Sequence, residues 1–171
     1  MSASAAAPRD DQARVAISVA VDPEVAFEVF TREIDLWWRR GPRFRNGTQG
    51  IVCLEPGVGG RVFESISDGG VETVVEIGRT LVWDPPHRLL FQWRFSNFAP
   101  AEQTEVEVLF EPLGGGTRVT VTHRGWSGVR ADHPARHAKA SAEFLRMLGM
   151  WWADLLRALD ERIAASTAGK R

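Results

Sequence analysis

The stretch from Asp132 to Ile163 constrains the fold more than any other, because it reads as one long amphipathic helix with an unusually heavy apolar stripe. Phe144, Leu148, Trp151, Trp152, Leu155, Leu159 and Ile163 recur at helical spacing, and Leu145 and Leu156 widen the stripe. Arg146, Asp154, Arg157, Asp160 and Glu161 fall mainly on the other side. Such a stripe needs a broad, concave partner. Gly149 interrupts it at a cost of ~1 kcal/mol against Ala. The gap is expected to admit a bulky sheet residue or a ligand, with Phe144, Met147, Leu148 and Trp151 around it.

The rest of the chain supplies strands. Val15, Ile17, Val19 and Val21 alternate with small or polar residues, a strand with one apolar face. Asp22, Pro23 and Glu24 open a helix that ends near Arg32, and a short helical piece over 33–38 closes with Trp37-Trp38. Six strands follow, over 50–54, 61–66, 71–83, 88–95, 103–111 and 117–126, separated by Gly- and Pro-rich turns. Gly78 marks an expected bulge or bend. Leu89, Phe91, Trp93 and Phe95 share one face, as do Val106, Val108 and Phe110, and Val119, Val121 and His123. Glu105 and Glu107 are placed to pair with Arg118 and Arg124 on the solvent side. Hairpin-linked strands and segregated helices define an α+β fold: a curved antiparallel sheet wrapped around a long C-terminal helix. One domain is expected over 14–165, with an N-terminal tail over 1–13 and a short tail over 166–171.

Composition narrows the function classes. A formal net charge of −1 over 171 residues excludes bulk attraction to nucleic acid or an anionic membrane. No apolar run approaches the length of a membrane span. The lone cysteine, Cys53, allows no intrachain disulfide, and the N-terminal residues lack the pattern of a signal peptide, so a cytoplasmic location is expected. Seven Trp, nine Phe and no Tyr point to a wide aromatic interior or a lined cavity.

Three segments carry a resemblance. Glu55-Pro56-Gly57-Val58-Gly59-Gly60-Arg61, then Trp83-Asp84-Pro85-Pro86-His87-Arg88-Leu89, then Trp93, resemble the signature of the activator-of-heat-shock-protein-90-ATPase-like branch of the SRPBCC (START/birch-pollen-allergen-like) superfamily. Asp22-Pro23, Trp37-Trp38 and Gly149-Met150-Trp151 also fit that branch, and the likeness covers about residues 14–164. The resemblance implies a helix-grip fold with a deep apolar cavity between sheet and C-terminal helix. Relatives in the superfamily bind lipids, sterols, polyketides, plant hormones or aromatic compounds, and some catalyse cyclisation or hydrolysis in the cavity. The name of the branch implies a chaperone partner and a stress-response setting. The signature segments themselves read as fold markers that turn the chain or stop a strand.

The expected function is binding of a small hydrophobic or aromatic ligand, lined by Trp37, Phe63, Phe91, Trp93, Val119, Val121, His123, Phe144, Leu148 and Trp151. The alternatives are a cyclase or hydrolase using the same cavity and a chaperone-ATPase-activating interaction module. His123 is the polar member, placed to orient a ligand group or to act as a general base. One ring of the Trp37-Trp38 pair is expected to form a wall or lid, the other to be exposed or to join a homodimer contact. Arg39, Arg40, Arg43 and Arg45 form a local basic cluster, expected to be a solvated loop. His133 and His137 stand at i, i+4, but no Cys or carboxylate supports them as metal ligands, so a solvated helix start is expected, and no metal or cofactor. Neither Ser127 nor Cys53 has the sequence context of a nucleophile, and no catalytic constellation is evident.

Overall fold

A computed structural model of the chain describes residues 11–38, 50–95 and 97–169. Strand β1 (Gln12–Val19) is followed by helix α1 (Pro23–Arg32) and the single-turn helix α2 (Ile34–Trp37). Six strands come next: β2 (Gly50–Leu54), β3 (Arg61–Asp68), β4 (Val71–Asp84), β5 (Arg88–Trp93), β6 (Thr104–Leu113) and β7 (Gly116–Arg124). Helix α3 (Ser141–Ala168) closes the chain. The strands form one antiparallel sheet in the order β1-β7-β6-β5-β4-β3-β2. The sheet curls around α3, as the alternating strands and the apolar stripe require. The buried positions of α3, Phe144, Leu148, Trp152, Leu155, Leu156, Leu159 and Ile163, all belong to the expected stripe, whereas Leu145 and Trp151, also expected there, are half-buried.

The register defines the concave face. Thr80, Phe91, Val106, His123 and Ala13 stand opposite one another across five strands, and Trp83, Leu89, Val108, Val121 and Val15 form the adjacent row. All but Trp83 and Val15 are buried. Each large apolar side chain in these rows contributes about 1.5–3 kcal/mol by leaving water. On the convex face Glu105 and Glu107 both reach Arg124, at 3.2 and 3.5 Å, and Glu107 also accepts from Arg88. Arg118 is therefore not the partner that the alternation led us to expect.

The signature segments have a structural explanation. Glu55 accepts from the backbone N–H of Arg61 at 2.9 Å and from its guanidinium at 2.6 Å, clamping the β2–β3 turn. Within that turn Gly57 and Gly59 have φ of 93° and 81°, and a Cβ on Gly60 would overlap the carbonyl of Glu55. Gly78 is required for a similar reason: a Cβ there would overlap the carbonyl of Gln92. The irregularity expected at Gly78 falls one residue earlier, where Ile77 is extra between the pairs Val62–Gly78 and Phe63–Glu76.

Three boundaries differ from expectation. β1 starts at Gln12, and Asp11 is tied to Ser127 through its backbone N–H and its hydroxyl, so residues 11–13 belong to the fold; residues 1–10 of the expected tail lie outside the described residues. α3 runs on through Ala168 and starts only at Ser141. Residues 126–128 and 134–136 are isolated 3-10 turns, and His137 and Ala138 take positive φ, which ends any helix begun earlier. The side chain that organises this segment is Arg136. Its buried guanidinium donates to the carbonyls of Trp126 and Val129, both at 3.1 Å, and to Ser141 Oγ at 2.7 Å. Asp22 occupies the N-cap position of α1 but makes no side-chain cap hydrogen bond.

Candidate functional site: an aromatic cage between sheet and helix

Alternation along β5, β6 and β7 brings Phe91, Trp93, Val119, Val121 and His123 to the concave face, all buried. α3 delivers Phe144 and Leu148 to the same interior. Trp37, Phe91, Trp93, Val119, Val121, His123, Phe144 and Leu148 are thus one contiguous core. Phe63 does not join them. β3 turns Val62, Glu64 and Ile66 inward, so Phe63 lies on the convex face beside Cys53 and Glu76, with the Arg61 guanidinium 4.7 Å from its ring centre. Trp151 is half-buried at the margin, and its neighbour Trp152 takes the inner position.

His123 is held from both sides. Trp152 Nε1–H donates to His123 Nδ1 at 3.1 Å, and His123 Nε2 meets Thr104 Oγ1 at 2.8 Å. Thr104 Oγ1 in turn donates to the carbonyl of Trp93 at 2.9 Å. That chain of donors makes Nε2 the protonated nitrogen and the ring neutral. Burial agrees, because desolvation pushes the imidazole from 6.5 down to about 3. With both nitrogens committed and no charge at neutral pH, His123 is fitted to lock α3 onto β6 and β7. The general-base expectation has no free nitrogen to act through.

The ring at the centre is Trp38. It is 1% exposed, with ring centres at 5.2 Å from Trp37, 5.4 Å from Trp93, 6.0 Å from Trp151 and 5.4 Å from Trp152. Trp126 extends the cage, 5.1 Å from His123 and 4.6 Å from Phe144. Trp37, expected in the lining, instead anchors α2: its Nε1–H donates to the carbonyl of Phe30 at 3.2 Å and its ring lies 4.7 Å from that side chain. Neither member of the pair is exposed, so neither is offered to a second copy. With Trp37 expected in the lining, the sequence leaves Trp38 as the exposed or dimer-contact ring of the pair; the signal for burying it was its place at the end of a piece too short to bury a face by itself. Trp152 and Thr104 were more legible. Trp152 stands four residues after Leu148, and Thr104 two before Val106.

Three further polar groups lie in the interior. Trp38 Nε1 and Thr80 Oγ1 are fully buried and make no hydrogen bond among the described residues. Glu64, 1% exposed, turns its carboxyl toward Gly50, where a Cβ would overlap it. Gly149 is not a window onto a ligand. It faces β1, and a Cβ there would meet only Val15 Cγ2, at 3.9 Å. His133 and His137 share no helix face. His133 is buried, its Nδ1 accepting from Ala135 N at 3.1 Å, and His137 is exposed in the left-handed conformation. The basic cluster Arg39, Arg40, Arg43 and Arg45 lies outside the described residues.

A curved seven-stranded antiparallel sheet gripping one long C-terminal helix, with an aromatic interior, defines the helix-grip class of the SRPBCC superfamily. The chain belongs to the family of activator of Hsp90 ATPase homolog 1-like proteins, whose model matches residues 20–150. No curated protein matches. Similar solved structures include protein MLL2253 from Mesorhizobium loti, at 17% identity and TM-score 0.62, covering 90% of this chain and 97% of that one. TTHA0849 from Thermus thermophilus is 18% identical at TM-score 0.61, with 91% and 98% covered. SA2116 from Staphylococcus aureus, a protein of unknown function, is 17% identical at TM-score 0.62, with 92% and 97% covered. At these identities the likeness is one of fold.

Proposed function

We propose that this protein binds a small, flat, largely apolar molecule bearing a hydrogen-bond acceptor, between the concave face of the sheet and α3, against the Trp38 ring. The observation that carries this reading is the Trp38 indole N–H, enclosed by four other indoles and without an acceptor among the described residues. A buried donor left unpaired costs about 1–3 kcal/mol, which a ligand acceptor would recover. The surrounding rings supply apolar area at ~25 cal/mol per Å². α2 is a single turn of helix, so a small shift of Trp38 that makes room beside its ring disturbs little regular structure. The residues from the expected lining that serve this site are Trp93, His123, Phe144 and Leu148, with His123 acting through Trp152 rather than on the ligand.

The test compares quinoline with naphthalene, which have the same shape but differ by one ring nitrogen acceptor. Calorimetry should show saturable binding of both to the wild type. In Trp38→Phe the preference for quinoline should fall by about tenfold, since one buried hydrogen bond is lost. A preference unchanged by Trp38→Phe, or no saturable binding of either compound, would overturn the proposal. Native mass spectrometry of the purified protein then identifies any physiological ligand that co-purifies.

A further inference from the structure

The two signature segments meet at a place that the interior site does not use. Pro56 from the first, and Trp83, Pro85 and Pro86 from the second, wall one side of a groove of about 630 Å³. The opposite wall is a single face of α1, and Leu54 at the end of β2 completes the floor. The volume suits a small molecule. Phe27 and Trp83 meet edge to face at 5.2 Å, and Trp83 is only half-buried, so part of its indole lines the groove.

The charged groups of the groove are Glu24, Glu28 and Arg32, which leaves one net negative charge. Arg32 is already paired with Glu28 at 3.1 Å. Glu24 makes no ion pair among the described residues. An apolar floor carrying an indole, beside an uncompensated carboxylate, complements one kind of occupant.

We infer that this groove is a second binding site, for a small organic cation with a flat apolar body, such as an arylalkylammonium. The ring lies on Trp83, Phe27 and Leu54, and the cationic group faces Glu24 and Glu28. Fixing the Trp83-Asp84-Pro85-Pro86 turn against α1 then has a use beyond ending β4: it holds the indole where the carboxylates are. The site is separate from the aromatic cage, so the two proposals stand or fall independently.

The test is a two-dimensional proton–nitrogen NMR titration of the full-length protein with phenyltrimethylammonium and with its neutral carbon analogue, tert-butylbenzene. Saturable shifts are expected in the Trp83 indole N–H and the backbone amides of α1. The cation should bind about fivefold tighter than the analogue. The double variant Glu24→Gln, Glu28→Gln alters exposed side chains only. It should weaken the cation about fivefold and leave the analogue unchanged. Three results would each overturn the inference: no saturable shift at Trp83, shifts confined to the indoles of Trp38, Trp93 and Trp152, or equal binding of the two compounds.

Discussion

At the scale of single residues, His123 ties the stability of the fold to pH. Its pKa is 6.5 when exposed and about 3 in the folded protein, because burial disfavours the imidazolium. The folded state therefore binds fewer protons than the unfolded chain between those values. Stability is fully present above pH 6.5 and is lost as the pH falls, by up to about 1.4 kcal/mol per pH unit. The carboxylates act lower: Arg61 holds Glu55 down to about 2, and Glu102 and Glu143 are also lowered, by hydrogen bonds from the Arg130 backbone and from Lys139. The window from about pH 6.5 to about 4.5 lies above these carboxylates and within the range of His123. Urea unfolding across it should show stability falling with pH in the wild type and a flatter profile in His123→Asn. An unchanged slope in the variant would assign the effect to another group. That His123 faces inward was legible from its parity with Val119 and Val121. That it is saturated was not, because Trp152 reaches it from 29 positions away and Thr104 from 19. Phe63 was misread because β3 presents apolar residues on both parities, and the inward one includes a carboxylate, Glu64.

At the scale of elements, α3 shows what periodicity can and cannot locate. Its stripe from Phe144 to Ile163 follows from spacing alone. Its start does not, because residues 132–140 contain nothing that forbids a helix apart from Pro134, which a first turn tolerates. The break is tertiary: the Arg136 guanidinium binds two carbonyls of the preceding segment, and no helical path would keep it there. Gly149 lies in the helix interior with only Val15 facing it, so Gly149→Ala should raise stability by up to about 1 kcal/mol through the better helix propensity of alanine. Gly60→Ala should do the opposite, lowering the urea midpoint, because its Cβ meets the backbone of Glu55 rather than a side chain that can yield. Parallel urea titrations of the two variants check both signs.

At the scale of the whole molecule, strand count, strand order and the position of the long helix all follow from alternation and turn chemistry, because hairpin connections leave little freedom in an antiparallel sheet. What fills the grip does not follow, since it depends on how a one-turn helix buries two adjacent tryptophans, Trp37 against Phe30 and Trp38 at the centre of the cage. Trp37-Trp38, Trp93, Trp126 and Trp152 come from four separate points along the chain, yet their buried rings and His123 form one network. Tryptophan emission should therefore be blue-shifted in the native state. It should move red in a single transition that coincides with loss of circular dichroism. Two separated transitions would show that the helices and the sheet unfold as distinct units. The contact between Asp35 and β2 has a different kind of consequence. β2 ends the sheet, and the N–H of Val52 is taken by Asp35 Oδ1 at 3.0 Å. A carboxylate stationed on that border makes the strand a poor template for cross-chain β-pairing, so the same turn of helix that presents Trp38 to the interior also guards this edge of the sheet against polymerisation.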